Sequence, residues 1–170
     1  MLISPSARAS SIFAEKNSFS YSKHTKMNTD FWEDTGTVEW SLKPGVTRKD
    51  AYEDLHVHPK DYELGCKQAT ITTMLAGSDF DQIVQDDNVR DGDWIPGDWG
   101  YIKNPDPNPS AGEEGQNMIY LGRGKFWGIA SGATIRTLKE WYEHVESWDG
   151  KADLKNWRRR PSYELKKTKP

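Results

Sequence analysis

The chain has 170 residues and a formal net charge of −3, and 35% of its residues are hydrophobic. That length fits one domain, large enough to bury a core without disulfides or metal ions. A single cysteine, Cys66, excludes an intramolecular disulfide and the usual zinc site built from several cysteines.

Charge is distributed unevenly along the chain. Residues 1–27 carry four basic side chains and one acid, residues 151–170 carry eight and two, and the middle is acidic. Basic ends of this kind are most often solvated tails, and no nucleic-acid-binding motif accompanies them. We therefore predict a flexible leader at 1–27, a folded domain at 28–150 and a basic C-terminal tail at 151–170.

Targeting signals are not visible in the sequence. No apolar run is long enough to span a bilayer, and the N-terminus lacks the charged and apolar regions of a secretory signal. The default expectation is a cytoplasmic protein with no transmembrane segment, with export by another route left open. Nothing indicates the oligomeric state.

The first elements of the domain are predicted to be a strand and two helices. Apolar and polar residues alternate from Val38 to Lys43, as in a half-buried strand. Thr47 is the expected N-cap of a helix that Pro59 ends. The second helix is predicted over Tyr62–Leu75, and it carries Cys66.

Strands dominate the next part of the chain. Residues 77–97 are expected to form a loop, and 99–102 a strand. Two apolar runs, 117–121 and 125–130, flank Gly122-Arg123-Gly124, a sequence that favours a hairpin turn.

The chain then turns to helical periodicity. Apolar residues recur at near-helical spacing at Ile135, Leu138, Tyr142 and Val145. The order of elements predicts an α+β fold, in which the helix that carries Cys66 packs on a small antiparallel sheet.

Cys66 has the local setting of a nucleophile. It lies at the start of a predicted helix, where unpaired backbone N–H groups and the helix dipole favour thiolate over thiol. Thiolate is the form that attacks a carbonyl carbon. The alternative is structural, because a lone cysteine is often a small buried hydrophobic residue.

Several short blocks of sequence point to a known family. They are Phe31-Trp32, Glu39-Trp40-Ser41-Leu42-Lys43, Asp50-Ala51, Tyr62-Glu63-Leu64-Gly65-Cys66, Gly97-Asp98-Trp99, Tyr101-Ile102-Lys103-Asn104-Pro105, Gly115-Gln116-Asn117-Met118-Ile119-Tyr120-Leu121-Gly122 and Lys125-Phe126-Trp127. In order and spacing they resemble the bacterial spore-type protein-glutamine γ-glutamyltransferases, the transglutaminases. The resemblance implies a papain-like, NlpC/P60-type core.

The resemblance also implies a reaction. Cys66 falls on the family's nucleophile position, where a thiolate attacks a glutamine carboxamide, releases ammonia and forms a thioester that a lysine amine resolves into an isopeptide bond. The implied partners are proteins that bear Gln and Lys. The family needs no calcium, the sequence has no EF-hand loop, and neither a metal nor a cofactor is expected.

The sequence departs from the family at three proton-handling positions. Gly65 and Gln116 stand where the family has glutamates, and Ile129 stands where a histidine is expected. Gln116 can donate or accept a hydrogen bond, but it cannot take a proton from a thiol. Loss of a base worth roughly 10²–10⁴ in rate leaves either a slow enzyme or an inactive one.

Candidate substitutes for the missing base or orienting group are Glu113, Glu114, His56, His58 and Asp98. Each also has a structural interpretation. Loop glutamates are commonly solvated, a histidine before Pro59 is placed to cap a helix, and aspartate after glycine is a common turn residue.

Candidate residues for the substrate cleft are Trp99, Tyr101, Asn117 and Trp127. Aromatic rings there would exclude water from the thioester and so favour an amine over hydrolysis. Trp127 lies inside an apolar run, which also favours a core position.

Three functions are consistent with the sequence. The first is a transglutaminase-like acyltransferase, with Cys66 as nucleophile and Gln116 at its partner's position. The second is an impaired family member that keeps the cleft as a binding module. The third is a glutamine deamidase or cysteine hydrolase. We expect the first.

Overall fold

A computed structural model describes residues 5–15, 19–36, 40–76, 83–85, 94–148, 153–155 and 159–161. The helices are α1 (Pro5–Glu15), α2 (Arg48–Val57), α3 (Cys66–Ala76) and α4 (Leu138–Glu146), with a short 3-10 helix at Pro59–Asp61. The strands are β1 (Ser20–Tyr21), β2 (Trp32–Asp34), β3 (Trp40–Leu42), β4 (Glu63–Leu64), β5 (Ile83–Gln85), β6 (Trp99–Lys103), β7 (Gly115–Gly122), β8 (Lys125–Ile129), β9 (Ala133–Thr137), β10 (Asp153–Lys155) and β11 (Arg159–Pro161). Among these residues, no helix is long and apolar enough to cross a membrane.

Five of the described strands form an antiparallel sheet in the order β10-β6-β7-β8-β9. The predicted hairpin joins β7 to β8. Gly122 pairs with Lys125, so the turn consists of Arg123 and Gly124, whose φ angles are 53° and 70°. Positive φ at both central residues is the backbone of a type I′ turn, whose twist matches that of the flanking strands.

The sheet is covered on both faces. Successive residues of a strand point to opposite faces, so β7 contributes Ile119 to one core and Met118 to the other. Ile119, Trp99 and Trp127 pack with residues of α1 and α3. Met118 packs on the other face against Trp141 of α4. Helix α3 lies on the first face. The residue at its N-terminus, Cys66, contacts Gly115 and Asn117 at the beginning of β7.

Helix starts follow local capping chemistry. The backbone N–H of Asp50 donates to Oγ1 of Thr47 at 3.1 Å, which confirms the predicted N-cap of α2. At α4, Thr137 and Glu140 form a reciprocal capping box. The helix that carries Cys66 begins at Cys66 itself and not at Tyr62, because Glu63–Leu64 forms β4 and pairs in parallel with β1.

Pro5–Glu15 is helical and Ser20–Tyr21 is a strand, so the prediction of a flexible leader over 1–27 is wrong for α1 and β1. Phe13 of α1 is fully buried, with its ring centroid 4.6 Å from that of Phe19 and 4.8 Å from that of His56. Ala9 is also buried, one turn earlier on the same helix face. The apolar surface that orders α1 comes from distant parts of the chain.

Two further predictions are corrected by strand pairing. Ile135 lies in β9 opposite Trp127 and not in the last helix. The helix begins only after its N-cap, Thr137, which is the last residue of β9. The segment 151–170 is not only a tail, because β10 pairs with β6 and β11 pairs with β5. The predicted loop 77–97 contains β5, and most of its other residues lie outside the described part of the chain.

Candidate active site

Cys66 is the first residue of α3. The N–H of Ala69 donates to the carbonyl of Gly65 at 2.9 Å, which makes Gly65 the residue before the first helical turn. The N–H groups of that turn have no partner inside the helix, and the helix dipole favours a negative charge there. Cys66 is half-buried and free, and it lies at the N-terminus of α3.

The sulfur of Cys66 has two polar neighbours among the described residues. The side-chain amide of Asn117 donates to Sγ at 3.3 Å, and the thiol donates to the backbone carbonyl of Gly115 at 3.6 Å. Both neighbours belong to the beginning of β7. The structure therefore brings α3 and β7 together around the thiol.

Asn117 is oriented by a buried tryptophan. Nε1 of Trp99 donates to Oδ1 of Asn117 at 2.9 Å. Trp99 is 3% exposed and Asn117 is 7% exposed, so this contact is largely shielded from water. Both were predicted as cleft residues, and Asn117 has a described hydrogen bond to the sulfur.

The described hydrogen bond of the Gln116 side chain goes to the backbone and not to the thiol, although Gln116 and Cys66 border the same cavity. The side chain of Gln116 is 1% exposed, and Nε2 donates to the backbone carbonyl of Asn117 at 2.6 Å. A side chain at Gly128 would lie 3.0 Å from the same nitrogen and 2.9 Å from the Trp141 ring, which marks the α4 side of the sheet. The group placed on the sulfur is thus Asn117, the next residue along β7.

The other predicted candidates are scattered. Oε2 of Glu114 accepts from the N–H of Gly112 at 3.0 Å. His58 is exposed at the end of α2, and Oδ2 of Asp98 accepts from the N–H of Ile95 at 2.9 Å in a turn. Trp127 is fully buried in the core. Only Glu114 among these four lines the space in front of Cys66.

Of the two remaining candidates, His56 packs away from the cleft and Tyr101 borders it. Nδ1 of His56 lies 2.7 Å from the backbone carbonyl of Tyr52, and its ring stacks on Phe13, which places it in the packing of α1. Oη of Tyr101 donates to the backbone carbonyl of Glu114 at 3.0 Å and closes one side of the cleft.

Two cavities meet at Cys66. The larger, about 470 Å³, is bordered by Gly65, Lys67, Gln68, Tyr101, Glu114 and Asn117. The smaller, about 290 Å³, is bordered by Glu113, Gln116, Ile129, His144 and Trp148. Residues common to both are Tyr21, Lys23, Cys66, Ala111 and Gly112. Cys66 thus borders both cavities.

Tyr21 borders both cavities. It lies in β1 opposite Leu64, two residues before Cys66, and its hydroxyl is against Gly112. Burial raises the pKa of Tyr21, and the negative charges of Cys66 and Glu114 raise it further. The phenol is therefore neutral at physiological pH and keeps its proton available for donation.

Sequence reasoning missed Tyr21 and Gly112. Tyr21 lies in the segment predicted to be a flexible leader, and no local pattern connects it with a thiol 45 positions later in the chain. The parallel pairing of β1 with β4 creates that proximity, and nothing in either two-residue strand predicts it.

No group of three or more His, Cys, Asp and Glu side chains suited to a metal ion occurs within the described ranges.

Comparison with known proteins identifies the family. A family model described as protein-glutamine gamma-glutamyltransferase matches residues 6–85 and 72–152. Proteins of that name from Bacillus mycoides (strain KBAB4) and Bacillus cereus (strain B4264) are 30% and 29% identical over 135 residues. Each alignment covers 66% of this chain and 48% of the relative. The chain thus spans about half the length of the relatives it matches.

A solved structure shares the fold. The transglutaminase from Geobacillus stearothermophilus, without its C-terminal extension, superposes with a TM-score of 0.78 at 22% identity, over 94% of this chain and 88% of that chain. The α+β, papain-like fold predicted from the sequence is confirmed. Because the family model covers most of the chain, the protein belongs to the protein-glutamine γ-glutamyltransferase family.

Proposed function

We propose that this chain transfers the acyl group of a protein glutamine to a primary amine, such as that of a lysine, through a thioester on Cys66. The observation that carries the proposal is the position of the sulfur at the junction of two cavities. A thioester formed from one cavity remains open to an amine that enters the other. The names of the relatives support the same chemistry.

The reaction balances with solvent as the reservoir of protons. The thiol first loses its proton, sulfur attacks the carboxamide carbon, the C–N bond breaks, and the nitrogen takes up a proton and leaves as ammonia. The amine then attacks the thioester carbon, the C–S bond breaks and thiolate is regenerated, while the proton lost by the amine goes to solvent. Tyr21 borders both cavities, and its neutral phenol can donate to the carbonyl oxygen as that oxygen gains charge.

The sulfur has no titratable group among its described hydrogen-bond neighbours. The amide of Asn117 and the carbonyl of Gly115 form hydrogen bonds with the sulfur, but neither can act as a base that removes the proton from the thiol. A positioned base contributes roughly 10²–10⁴ in rate, so we expect slow turnover. The same observation favours a second candidate, an impaired family member whose cleft binds glutamine-bearing proteins without modifying them.

The test is incorporation of a fluorescent primary amine into casein, with ammonia release followed in parallel. We expect labelling by the unmodified chain and none by Cys66→Ala. Ammonia release without labelling would indicate a deamidase. Silence in both assays, with binding of casein retained, would contradict acyl transfer and support the binding module.

A third variant, Gln116→Glu, asks whether the missing glutamate alone decides activity. Because the Gln116 side chain lies on the α4 side of the sheet, we expect no gain of labelling. A gain would show that a carboxylate at this position reaches the thiol, contrary to the described geometry.

A further inference from the structure

We propose that Trp99 is a positioning residue, which holds the Asn117 carboxamide so that its NH₂ group, and not its carbonyl, faces Cys66. In this arrangement the thiolate is stabilised by hydrogen-bond donation, without a base on the sulfur. The inference rests on the proposed role of Cys66 as nucleophile.

The orientation of Asn117 follows from donor and acceptor identity. An indole N–H only donates, so the atom of Asn117 that it contacts at 2.9 Å must be the oxygen. The NH₂ group is then the atom 3.3 Å from Sγ. A flipped amide would face the indole with a second donor and turn its carbonyl towards the sulfur. Trp99 therefore decides which end of the amide the sulfur meets.

The sheet makes this arrangement rigid. Tyr101 is paired with Asn117 across β6 and β7, and Trp99 is paired with Ile119. Trp99 is thus the diagonal neighbour of Asn117 on the same face, within reach of a long aromatic side chain. The positioning group lies on a central strand pair and not on a loop.

The consequence at the sulfur is that a hydrogen-bond donor, the Asn117 NH₂ group, faces it. A donor stabilises thiolate more than thiol, because hydrogen bonds to a charged group are the stronger ones. The Gly115 carbonyl acts in the opposite direction, since it accepts from the thiol and repels a thiolate. If the Asn117 amide no longer faced the sulfur, the Gly115 carbonyl would be the one remaining polar group of the two that contact the sulfur here.

The test measures the alkylation of Cys66 by iodoacetamide between pH 5 and pH 10. Cys66 is the only cysteine of the chain, so the reaction reports on one sulfur. Trp99→Phe keeps an aromatic ring and removes the N–H. We expect alkylation at pH 7 to become slower by about tenfold and the pH profile to move to higher pH.

Trp127→Phe is the matched control. Trp127 is a fully buried tryptophan of the same core, and its Nε1 has no described hydrogen-bond partner. Loss of that N–H should leave the pH profile unchanged. If Trp99→Phe and Trp127→Phe behave alike, Trp99 acts only through packing and the inference is overturned.

Two additions keep the test decisive. Replacement of Trp99 by β-(3-benzothienyl)alanine removes the N–H at nearly constant shape, and serves if Trp99→Phe does not fold. Asn117→Asp replaces the donor by a carboxylate and should move the profile further towards high pH. An unchanged profile in either variant would overturn the inference.

Alkylation does not require amine transfer, so the two proposals fail separately. A chain that shows the Trp99 effect but incorporates no amine contradicts the proposed function alone. A chain that incorporates amine without the Trp99 effect contradicts only the positioning role.

Discussion

The strand that approaches the thiol does so through a glycine. A side chain at Gly115 would collide with Oη of Tyr101 and lie 2.6 Å from the backbone carbonyl of Ile102. Only glycine therefore lets β7 bring its carbonyl and the neighbouring Asn117 to the sulfur of Cys66. Close backbone approach is the usual reason for a glycine at such a site.

Gly112 is the second glycine on which the cleft depends. Its φ of +91° disfavours any side chain, and a Cβ there would fall against Oη of Tyr21. We expect Gly112→Ala to lower the free energy of unfolding by about 2–4 kcal/mol and to displace Tyr21. Displacement should expose Cys66 and speed its alkylation.

Gly45→Ala is the control for backbone strain. Its φ is +84°, but nothing lies within 4 Å of a Cβ at that position. Gly45→Ala should lower the free energy of unfolding by only about 1–2 kcal/mol and leave the alkylation rate of Cys66 unchanged. Urea denaturation measures both losses. Equal losses would show that Tyr21 does not lie against Gly112.

At the scale of elements, α4 contributes a half-buried imidazole to the smaller cavity. His144 contacts the rings of Trp141 and Trp148 edge-on, at centroid distances of 5.6 Å and 5.0 Å. Burial lowers the pKa of His144 below its ordinary value of 6.5, and the positive charge of Arg136 lowers it further. The imidazole is therefore neutral in the folded protein at neutral pH.

This shift makes stability depend on pH. Below pH 6.5 the unfolded chain binds the His144 proton more readily than the folded chain does, so the free energy of unfolding should fall as the pH decreases. Urea denaturation at pH 7.5, 6.5 and 5.5 measures the slope, which His144→Gln should reduce. His24→Gln, at an exposed histidine, is the control. Equal slopes in the two variants would contradict this assignment.

At the scale of the whole molecule, α1 is part of the same folded unit as the cleft. Its buried residues join the core that also contains Trp99, Ile119 and Trp127. The face of the sheet that holds Asn117 is thus covered by α1 and α3 together. We therefore expect loss of α1 packing to disturb the cleft.

Phe13→Ala tests this expectation. Phe13 is fully buried against Phe19 and His56, so its truncation should cost about 3–5 kcal/mol of unfolding free energy. Glu15→Ala, at an exposed position of the same helix, should change stability by less than about 0.5 kcal/mol. Urea denaturation compares them. A near-neutral Phe13→Ala would restore the interpretation of α1 as a leader.

Locally determined elements were the predictable part of the fold. The Gly122-Arg123-Gly124 turn and the Thr47 cap depend on residues within a few positions of each other, and both are confirmed. Elements that depend on distant partners could not be predicted from the sequence. Neither α1 nor the two-residue strand β1 has a pattern of its own that outweighs the polar composition around it.

The candidate site divides in the same way. A thiol at a helix N-terminus, in the sequence order of a known family, marked Cys66 from the sequence alone. Side-chain direction along β7 was not predictable, because one step along a strand moves a side chain to the opposite face. That single step puts Asn117 on the sulfur and turns Gln116 towards α4.

The sequence by itself determined the α+β class and, through its resemblance, the family, and it singled out Cys66, because these depend on residue types and their order along the chain. The tertiary structure alone decided what surrounds Cys66. Trp99 reaches Asn117 through strand register, and Tyr21 reaches Cys66 through the pairing of β1 with β4. Those contacts join residues far apart in the chain, and only the packed core brings them together.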